Sequence, residues 1–450
     1  MSSTVLAFGG IGLMLVTIFL RIPVAAAMGF TGFIGTWVML GSPNAPLSQL
    51  KTLTFDTFSN YSLSIVPLFL LMGQFATKSG MSRALFASAS DWLGHFRGGV
   101  AMASVGASAG FGAICGSSLA TASTMGQVAL PEMKRRGFSD SLSTGVLAAG
   151  GTLGILIPPS IVLVIYAILA EQNIANLFMA GLIPGILAAV GYMITVRLYV
   201  FFRPTAATGA PKTTWAQKIN GLWHASPVAL IFALVMGGVA ADWNWSRSGI
   251  QALFTPTEGA AIGAILTGLY GWFQGGLRLP ELKESILETA ESTGMIFLIL
   301  LGAQLFNSFL ALTQAPQMIG AWVEAAGLPA LVVLLAMLCV YLIFGCVMDS
   351  LSMILLTMPV FFPIVEALDF GMGPTETALW FGILALSAVE IGLITPPIGL
   401  NLFIIGNVDR EIPMHKIYRG VMPFVLSDLV RIAILISIPA ITLWLPSKFF

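Results

Sequence analysis

Charged side chains are scarce in this chain of 450 residues, and their scarcity excludes an ordinary soluble fold. Asp, Glu, Lys and Arg make up only 9% of the sequence, whereas soluble globular proteins contain about 25%. Hydrophobic residues make up 57%, and the mean hydropathy is +0.92. Apolar segments of about 20 residues, the length that crosses a bilayer as a helix, recur along the chain. We therefore expect an all-α polytopic membrane protein.

Other missing features exclude several functions. The formal net charge is zero, so nothing favours nucleic-acid binding. The sequence contains no Gly-rich phosphate loop ending in Lys-Ser or Lys-Thr, so it does not support ATP-driven transport. The three cysteines, Cys115, Cys339 and Cys346, lie in apolar stretches without metal-type spacing, and we interpret them as packing residues. We expect neither an enzyme nor a cofactor, because Ser117 has no evident His or Lys partner for catalysis.

Two proline pairs lie inside apolar segments at matching places in the two halves of the chain. The pairs are Pro158-Pro159 and Pro396-Pro397, and small polar clusters precede them at residues 115–118 and 347–350. Such sequences break a helix and leave carbonyl groups without partners, which a membrane tolerates only where the broken backbone is buried in protein or lines a cavity. Paired interruptions in two halves are typical of the ion and substrate site of a transporter.

The apolar segments predict ten membrane crossings, two of them interrupted by the proline pairs. Segments 98–132 and 328–366 are interpreted as re-entrant hairpins. Most of the 20 basic residues then fall in loops on one side, which the positive-inside rule makes cytoplasmic. With this orientation, both termini are predicted to be periplasmic. The first apolar run is interpreted as a membrane span and not as a signal peptide, because Arg21 follows it and no basic residue precedes it, the reverse of the charge order of a signal peptide. The crossings lie at about 5–20, 24–40, 63–77, 139–170, 176–200, 225–241, 252–273, 288–312, 376–408 and 421–445.

The charge pattern inverts between the two halves. The loop after the first hairpin contains Lys134, Arg135 and Arg136, whereas its counterpart at 366–376 is acidic and lacks basic residues. The sequence thus predicts two inverted-topology repeats joined by a cytoplasmic linker. The first repeat, 1–200, comprises scaffold helices 1–97, hairpin 98–132, broken helix 139–170 and helix 176–200. The linker is 201–220, and the second repeat, 221–450, comprises scaffold helices 221–312, hairpin 328–366, broken helix 376–408 and helix 421–445.

Three smaller features remain, and two of them have two interpretations. The amphipathic stretches 81–95 and 280–291 suit helices that lie at the membrane interface. Stretch 280–291 fits equally well the end of an ordinary helix that emerges into water. Trp243 and Trp245 form either an aromatic belt, which we favour, or part of a docking surface.

An ordered set of motifs resembles the large membrane subunit of tripartite ATP-independent periplasmic (TRAP) transporters. The resemblance covers nearly the whole chain. Each motif is weak by itself, but their order is specific. The motifs are residues 66–69 with Gly73, 116–122, 131–137, 157–160 with Tyr166, 177–181 with 184–185, 255–258 and 390–402.

The resemblance implies a sodium-driven importer with the elevator-type fold of the ion-transporter superfamily. In this family a periplasmic binding protein delivers an organic acid, and a small membrane subunit of about four helices braces the scaffold. The location would be the bacterial inner membrane, and the small subunit would be a separate polypeptide. The alternative is a stand-alone sodium/carboxylate symporter of the same superfamily that needs no binding protein. A channel is a third class, but it would need a continuous polar stripe, whereas the polar residues here concentrate at two depths.

Sodium is a hard cation that prefers oxygen ligands, and the polar interruptions supply hydroxyl, carboxylate and carbonyl oxygens. We expect one sodium ion between the first hairpin tip and the first break, and a second between Asp349 and the second break. With no Lys or Arg near, helix ends and hydroxyl groups would hold a substrate carboxylate. The expected sodium ligands are Gly116, Ser117, Ser118, Gly151, Thr152, Gly154, Pro158, Asp349, Ser350, Glu390, Gly392, Thr395 and Pro396. The expected substrate contacts are Ser117, Ser160, Asp349 and Asn401.

Each of these residues also has a structural interpretation. Ser117 and Ser118 could simply let helices pack closely, and Glu390 could anchor the break rather than bind an ion. Glu258 follows a helix-start pattern, so we favour a capping role. Asp428 and Arg431, spaced i and i+3, are expected to pair with each other.

Overall fold

The computed structural model describes residues 3–240 and 254–449, and the regular structure of this part is entirely helical. The first half contains α1 (Ser3–Phe19), α2 (Val24–Leu40), α3 (Asn44–Ser59), α4 (Ile65–Lys78), α5 (Met81–Leu93), α6 (Gly99–Cys115), α7 (Ser118–Arg135), α8 (Asp140–Leu156), α9 (Ile161–Leu169) and α10 (Ile174–Phe202). The second half contains α11 (Trp215–Ala240), α12 (Pro256–Phe273), α13 (Leu279–Thr313), α14 (Ala315–Ala325), α15 (Ala330–Gly345), α16 (Ser350–Ala367), α17 (Pro374–Leu393), α18 (Leu400–Val408), α19 (Met414–Ser437) and α20 (Ala440–Phe449).

Several of these helices are long and apolar enough to cross a membrane. Six qualify by length and hydropathy among the described residues, namely α10, α11, α13, α16, α17 and α19. The pair α8 and α9 qualifies as a seventh span, with a bend of 43° between its parts. The apolar helices α1, α2, α6 and α15 have only 16 or 17 residues. The protein is thus a multi-span membrane protein, and the count of ten crossings stays a prediction.

Most predicted segments coincide with helices, but three details differ. The prediction missed α3, because this helix is too polar for a span. The last predicted crossing, 421–445, is interrupted after Ser437, since Pro439 has no amide hydrogen to continue the helix. Stretch 280–291 is the start of the 35-residue helix α13 and not a separate interfacial helix.

The structure confirms a helix within stretch 81–95 and a capping role for Glu258. Stretch 81–95 forms α5, which buries Met81 and Phe86. Glu258 and Thr255 form a capping box at the start of α12, with the Thr255 amide donating to Glu258 Oε2 at 2.8 Å. Trp243 and Trp245 lie outside the described residues.

Glycines bring two pairs of helices into backbone contact. A methyl group added at Gly112 in α6 would lie 2.5 Å from the Cα of Gly154 in α8. In the second half, a methyl group added at Gly345 in α15 would lie 2.9 Å from the Cα of Gly392 in α17. Membrane helices use small residues in this way, because their association depends on close packing. The same contact therefore occurs at corresponding places in both halves.

One ion pair lies in the interior. Arg431 Nη2 and Asp428 Oδ1 are 3.3 Å apart on α19, and the two side chains are 4% and 1% exposed. This pairing confirms the expectation from their spacing. Tyr192 of α10 donates a hydrogen bond to Asp428 Oδ2 at 2.7 Å, and the hydroxyls of Tyr192 and Thr152 are 2.9 Å apart. The pair thus joins α19 to α10 and, through Thr152, to α8.

We predict that Gly112→Ala lowers the free energy of unfolding by about 1–3 kcal/mol, the usual cost of overpacking, because its methyl group would meet backbone that cannot move aside. Melting curves of the purified protein in detergent measure this effect. Gly12→Ala in α1 is the matched control, since no atom lies within 4 Å of its added methyl group. Equal stability of Gly112→Ala and the parent protein would contradict the proposed backbone contact.

We predict that Asp428→Ala destabilises the protein by about 3–5 kcal/mol, because it leaves the buried Arg431 charge unpaired. Thermal unfolding of the double variant Asp428→Leu/Arg431→Met should recover most of the loss. Lys416→Ala is the control, since its ion pair with Asp140 at 2.8 Å is partly exposed and should contribute less than about 1 kcal/mol. A double variant no more stable than Asp428→Ala would argue against charge burial as the cause.

Candidate functional site

The chain turns sharply between α6 and α7, at residues 116–117, which we call the first turn. Gly116 adopts a left-handed conformation with φ of 63° and donates its N–H to Gly112 O at 2.8 Å. Ser117 caps α7 by accepting a hydrogen bond from the Ala120 amide at 3.4 Å. The carbonyl end of one helix and the amide end of the next therefore meet here, with opposite partial charges.

The first turn packs against the interruption between α8 and α9, at residues 157–160, which we call the first break. A methyl group added at Gly116 would lie 3.2 Å from Pro159 O. One added at Gly154 would lie 2.4 Å from Thr121 Oγ1 and 2.7 Å from Ser117 O. Ser160 is buried and caps α9 by accepting from the Leu163 amide at 3.4 Å. The structure thus brings Gly116, Ser117, Gly154 and Ser160, four of the predicted site residues, close together.

The second half repeats this arrangement with different side chains. The second turn, residues 346–349, separates α15 from α16, and the second break, residues 394–399, separates α17 from α18. Asp349 caps α16 by accepting from the amides of Leu351 at 3.1 Å and Ser352 at 3.0 Å. The Gly399 amide donates to Cys346 O at 3.0 Å, so the second turn and second break are in direct contact.

A hydrogen bond joins the start of α18, just after the second break, to the start of α7, just after the first turn. Asn401, the second residue of α18, donates to Ser118 Oγ at 2.8 Å and to Ala148 O at 3.2 Å. Its side chain is fully buried, yet its Oδ1 atom has no hydrogen-bond partner among the described residues, and neither has Thr121 Oγ1. Buried polar atoms normally have a partner, so these two oxygens are candidates for ligand binding.

The remaining predicted ligands have different surroundings. Thr152 donates a hydrogen bond to Ala149 O at 2.7 Å, and its hydroxyl oxygen is 2.9 Å from that of Tyr192. Its hydroxyl group therefore belongs to the network around the Asp428–Arg431 ion pair. Thr395 donates to Ile391 O at 2.5 Å and is partly exposed beside the second break. Ser350 is buried directly after Asp349. Pro396 O accepts from Cys346 Sγ at 3.8 Å, and Pro158 lies beside Gly181 of α10.

Glu390 differs from the other candidates because it faces the ion pair. It is completely buried in α17 and interacts electrostatically with Arg431 and Asp428. Its carboxyl group approaches the backbone of Leu156, the last residue of α8, but neither oxygen makes a well-formed hydrogen bond. This position favours a structural role for Glu390, in which it connects α8 and α17, over a role as an ion ligand at the turns.

The sequence holds no Lys or Arg between Arg97 and Lys134, between Arg136 and Arg197, or between Lys283 and Arg410. Both turns and both breaks therefore lack a basic residue of their own segment. An anion bound there would depend on hydroxyl groups and on the helix starts at Ser117 and Ser160. A cation would meet carbonyl groups, Asn401 Oδ1 and the carboxylate of Asp349.

Ion pairs tie the loops of the two halves together at one end of these helices. Lys134, in the last turn of α7, pairs with Asp409, after α18. The hydrogen bond from Lys134 lowers the pKa of the Asp409 carboxyl group below its usual value. Lys416 at the start of α19 binds Asp140 at the start of α8 at 2.8 Å. The two halves are thus connected both at the breaks and at this end.

Sequence reasoning missed two residues of this arrangement. Thr121 lies one helical turn after Ser117, so its place beside the first turn follows from helix periodicity. Tyr192 gave no local signal, because its partners Thr152 and Asp428 lie 40 and 236 residues away.

Known proteins resemble this chain over nearly its full length. The profile of the family "Tripartite ATP-independent periplasmic transporter, DctM component" matches residues 11–441. The C4-dicarboxylate TRAP transporter large permease protein DctM of Pseudomonas aeruginosa is 35% identical over 422 residues, which cover 94% of each chain. The sialic acid TRAP transporter large permease protein SiaM of Vibrio cholerae is 31% identical and covers 87% of each chain.

A solved structure has the same overall fold. The YdaH transporter of Alcanivorax borkumensis, described as having an unusual topology, superimposes with a TM-score of 0.61 over 88% of each chain at 17% sequence identity. The Pseudomonas aeruginosa and Vibrio cholerae relatives described above are both named as permeases of transporters. From the profile match and these relatives, the chain belongs to the DctM component family of tripartite ATP-independent periplasmic transporters.

Proposed function

We propose that this chain is the large permease subunit of a sodium-coupled importer of an organic acid in the bacterial inner membrane. The observation that carries the proposal is the hydrogen bond between Asn401 and Ser118. It joins the start of α18, just after the second break, to the start of α7, just after the first turn, beside two buried oxygens without partners among the described residues. Unwound backbone and free oxygens at such a meeting point are what a transporter needs to hold ions and substrate.

The sodium ions would bind at the turns. The first site uses Asn401 Oδ1, Thr121 Oγ1, Ser118 and the carbonyl groups around Gly151 and Gly154. The second uses Asp349 with carbonyl groups of the second turn and second break. Oxygen-only ligands of this kind suit a hard monovalent cation.

The substrate would be an organic acid with at least one carboxylate. Relatives are named for C4-dicarboxylate, sialic acid and isethionate transport, and dicarboxylates and sialic acid carry carboxylates. In this chain Ser117, Ser160 and Asn401 offer hydroxyl and amide groups next to helix starts, which attract anions. The substrate would therefore lie between the first turn, the first break and α18.

The transport step would be an elevator movement of two inverted repeats, 1–200 and 221–450, joined by the linker 201–220. The helix pairs α6–α7 and α15–α16 would be re-entrant hairpins, moving together with the broken helices. The repeated Gly112–Gly154 and Gly345–Gly392 contacts support a common ancestry of the two halves. The inverted charge pattern supports their opposite orientation, with both termini in the periplasm.

The partners would be a periplasmic binding protein, which delivers the acid, and a separate small membrane subunit of about four helices. Family membership favours this tripartite system over a stand-alone symporter, since the similar proteins are named as TRAP permeases.

We predict that sodium raises the melting temperature of the purified protein and that Thr121→Val weakens sodium binding roughly tenfold, since it removes one ligand oxygen. Asp349→Asn should weaken the second site while keeping the helix cap. Calorimetric titration with sodium chloride, against choline chloride at equal ionic strength, measures both effects. Ser143→Ala is the control, since Ser143 is also a buried hydroxyl without a partner but lies at the far end of α8. Absence of any sodium-specific effect would refute the sodium sites.

We predict that proteoliposomes containing this chain and its small subunit accumulate substrate only when a sodium gradient and the loaded binding protein are both present. The binding protein is required because it presents the acid to the outer face. Uptake of radiolabelled C4-dicarboxylate, assayed with and without the binding protein, is the measurement. Equal uptake of free substrate without the binding protein would favour the stand-alone symporter.

A further inference from the structure

A groove runs between α10 and α19 along an exposed, apolar side of these helices. Its volume is about 900 Å³. Its walls are formed by one face of each helix, including Ile194 and Leu198 of α10 and Leu426 and Val430 of α19. These four side chains are between 51% and 64% exposed, so the described part of the chain leaves the groove open along its outer side.

Two arginines stand at one end of the groove. Arg203 follows the last residue of α10, Arg419 lies near the start of α19, and both are exposed and line the groove. Neither pairs with a carboxylate among the described residues, whereas the nearby Lys416 and Lys134 are both paired. Arg203 donates only to the Tyr199 hydroxyl, at 3.3 Å. The end of the groove therefore carries two guanidinium groups without a counter-ion.

The length of the groove and the charge at its end favour one occupant. The lining of α10 extends from Leu187 to Arg203, which is about 24 Å of helix. A long apolar groove that ends in two unpaired guanidinium groups complements a molecule with an extended hydrocarbon chain and an anionic headgroup.

The length also fits one leaflet of a membrane. Half of the hydrocarbon core is about 15 Å thick, and the remainder of the groove reaches the headgroup region. The C-terminal end of α10 and the N-terminal end of α19 meet here, so the two arginines lie at the same membrane surface whichever way the protein is oriented.

We propose that the groove binds one anionic glycerophospholipid, with its phosphate on Arg203 and Arg419 and an acyl chain along α10 and α19. Guanidinium groups suit this role because their planar donors bind phosphate oxygens in pairs. The acyl chain would cover the outer side of the wall that contains Asp428 and Arg431, which are 1% and 3% exposed. The lipid would thus shield the ion pair that connects α19 to α10. This inference requires only that the protein is embedded in a membrane and does not depend on the proposed sodium coupling.

Native mass spectrometry of the full-length protein in detergent tests this site. Dioleoyl phosphatidylglycerol should bind more tightly than dioleoyl phosphatidylcholine, which has no net charge. The double variant Arg203→Ala/Arg419→Ala should bind the anionic lipid roughly thirtyfold more weakly, because each arginine near a lipid surface contributes about 1 kcal/mol. Arg197→Ala is the matched control, since Arg197 is exposed on the same helix but does not line the groove.

Two further experiments distinguish a bound lipid from other occupants of the groove. Ile194→Trp fills the groove without touching the charges, so it should weaken lipid binding while leaving the fold intact. Millimolar inorganic phosphate should fail to displace the lipid. Unchanged lipid binding by the double variant, equal loss in Arg197→Ala, displacement by phosphate alone, or a photo-crosslinker at Leu198 that captures a polypeptide instead of a lipid would each overturn the proposal.

Discussion

A broken backbone inside a bilayer must find its hydrogen-bond partners within the protein, because the hydrocarbon supplies none. This constraint shapes both halves of the chain. At the first turn and first break, Ser117 and Ser160 cap the helices that follow. At the second turn, Asp349 caps α16 through two amides, and Gly399 bonds to Cys346. Two of the buried oxygens that have no hydrogen-bond partner among the described residues, Asn401 Oδ1 and Thr121 Oγ1, lie where the two halves meet.

The helices around the interruptions contact each other directly, which stabilises the interrupted backbone. Glycines let α6 contact α8 and α15 contact α17 at backbone distance. Behind the breaks, Arg431, Asp428 and Tyr192 form a buried network that reaches α8 through Thr152. Glu390 lies beside this network in the last turns of α17. The polar groups that we propose as ligands and the polar groups that connect the helices are therefore adjacent but distinct. This proximity explains why the sequence suggested both a binding and a structural role for Glu390.

The sequence predicted what depends on local chemistry. Proline pairs fixed the positions of both breaks, the Thr255 pattern predicted the capping box of Glu258, and the i, i+3 spacing predicted the Asp428–Arg431 pair. It could not predict contacts between distant segments, such as Asn401 with Ser118, because only tertiary packing brings them together. It also divided α13 into two segments, since Glu281, Glu284 and Glu288 interrupt the apolar pattern although the helix continues, with Lys78 bridging Glu284 and Glu288. Helix α3 was missed because its polar sequence gives no signal for a span.

The central claim is that two halves of opposite orientation bring their interrupted helices together within the membrane. Labelling of single cysteines with an impermeant maleimide tests it most directly, in a variant whose native cysteines are replaced by alanine. Lys134→Cys lies at the C-terminal end of α7, and Asp369→Cys lies just after the C-terminal end of α16, the corresponding helix of the second half. The account predicts that Asp369→Cys is labelled in intact cells and that Lys134→Cys is labelled only after the membrane is permeabilised. Labelling of both positions from the same side would contradict it.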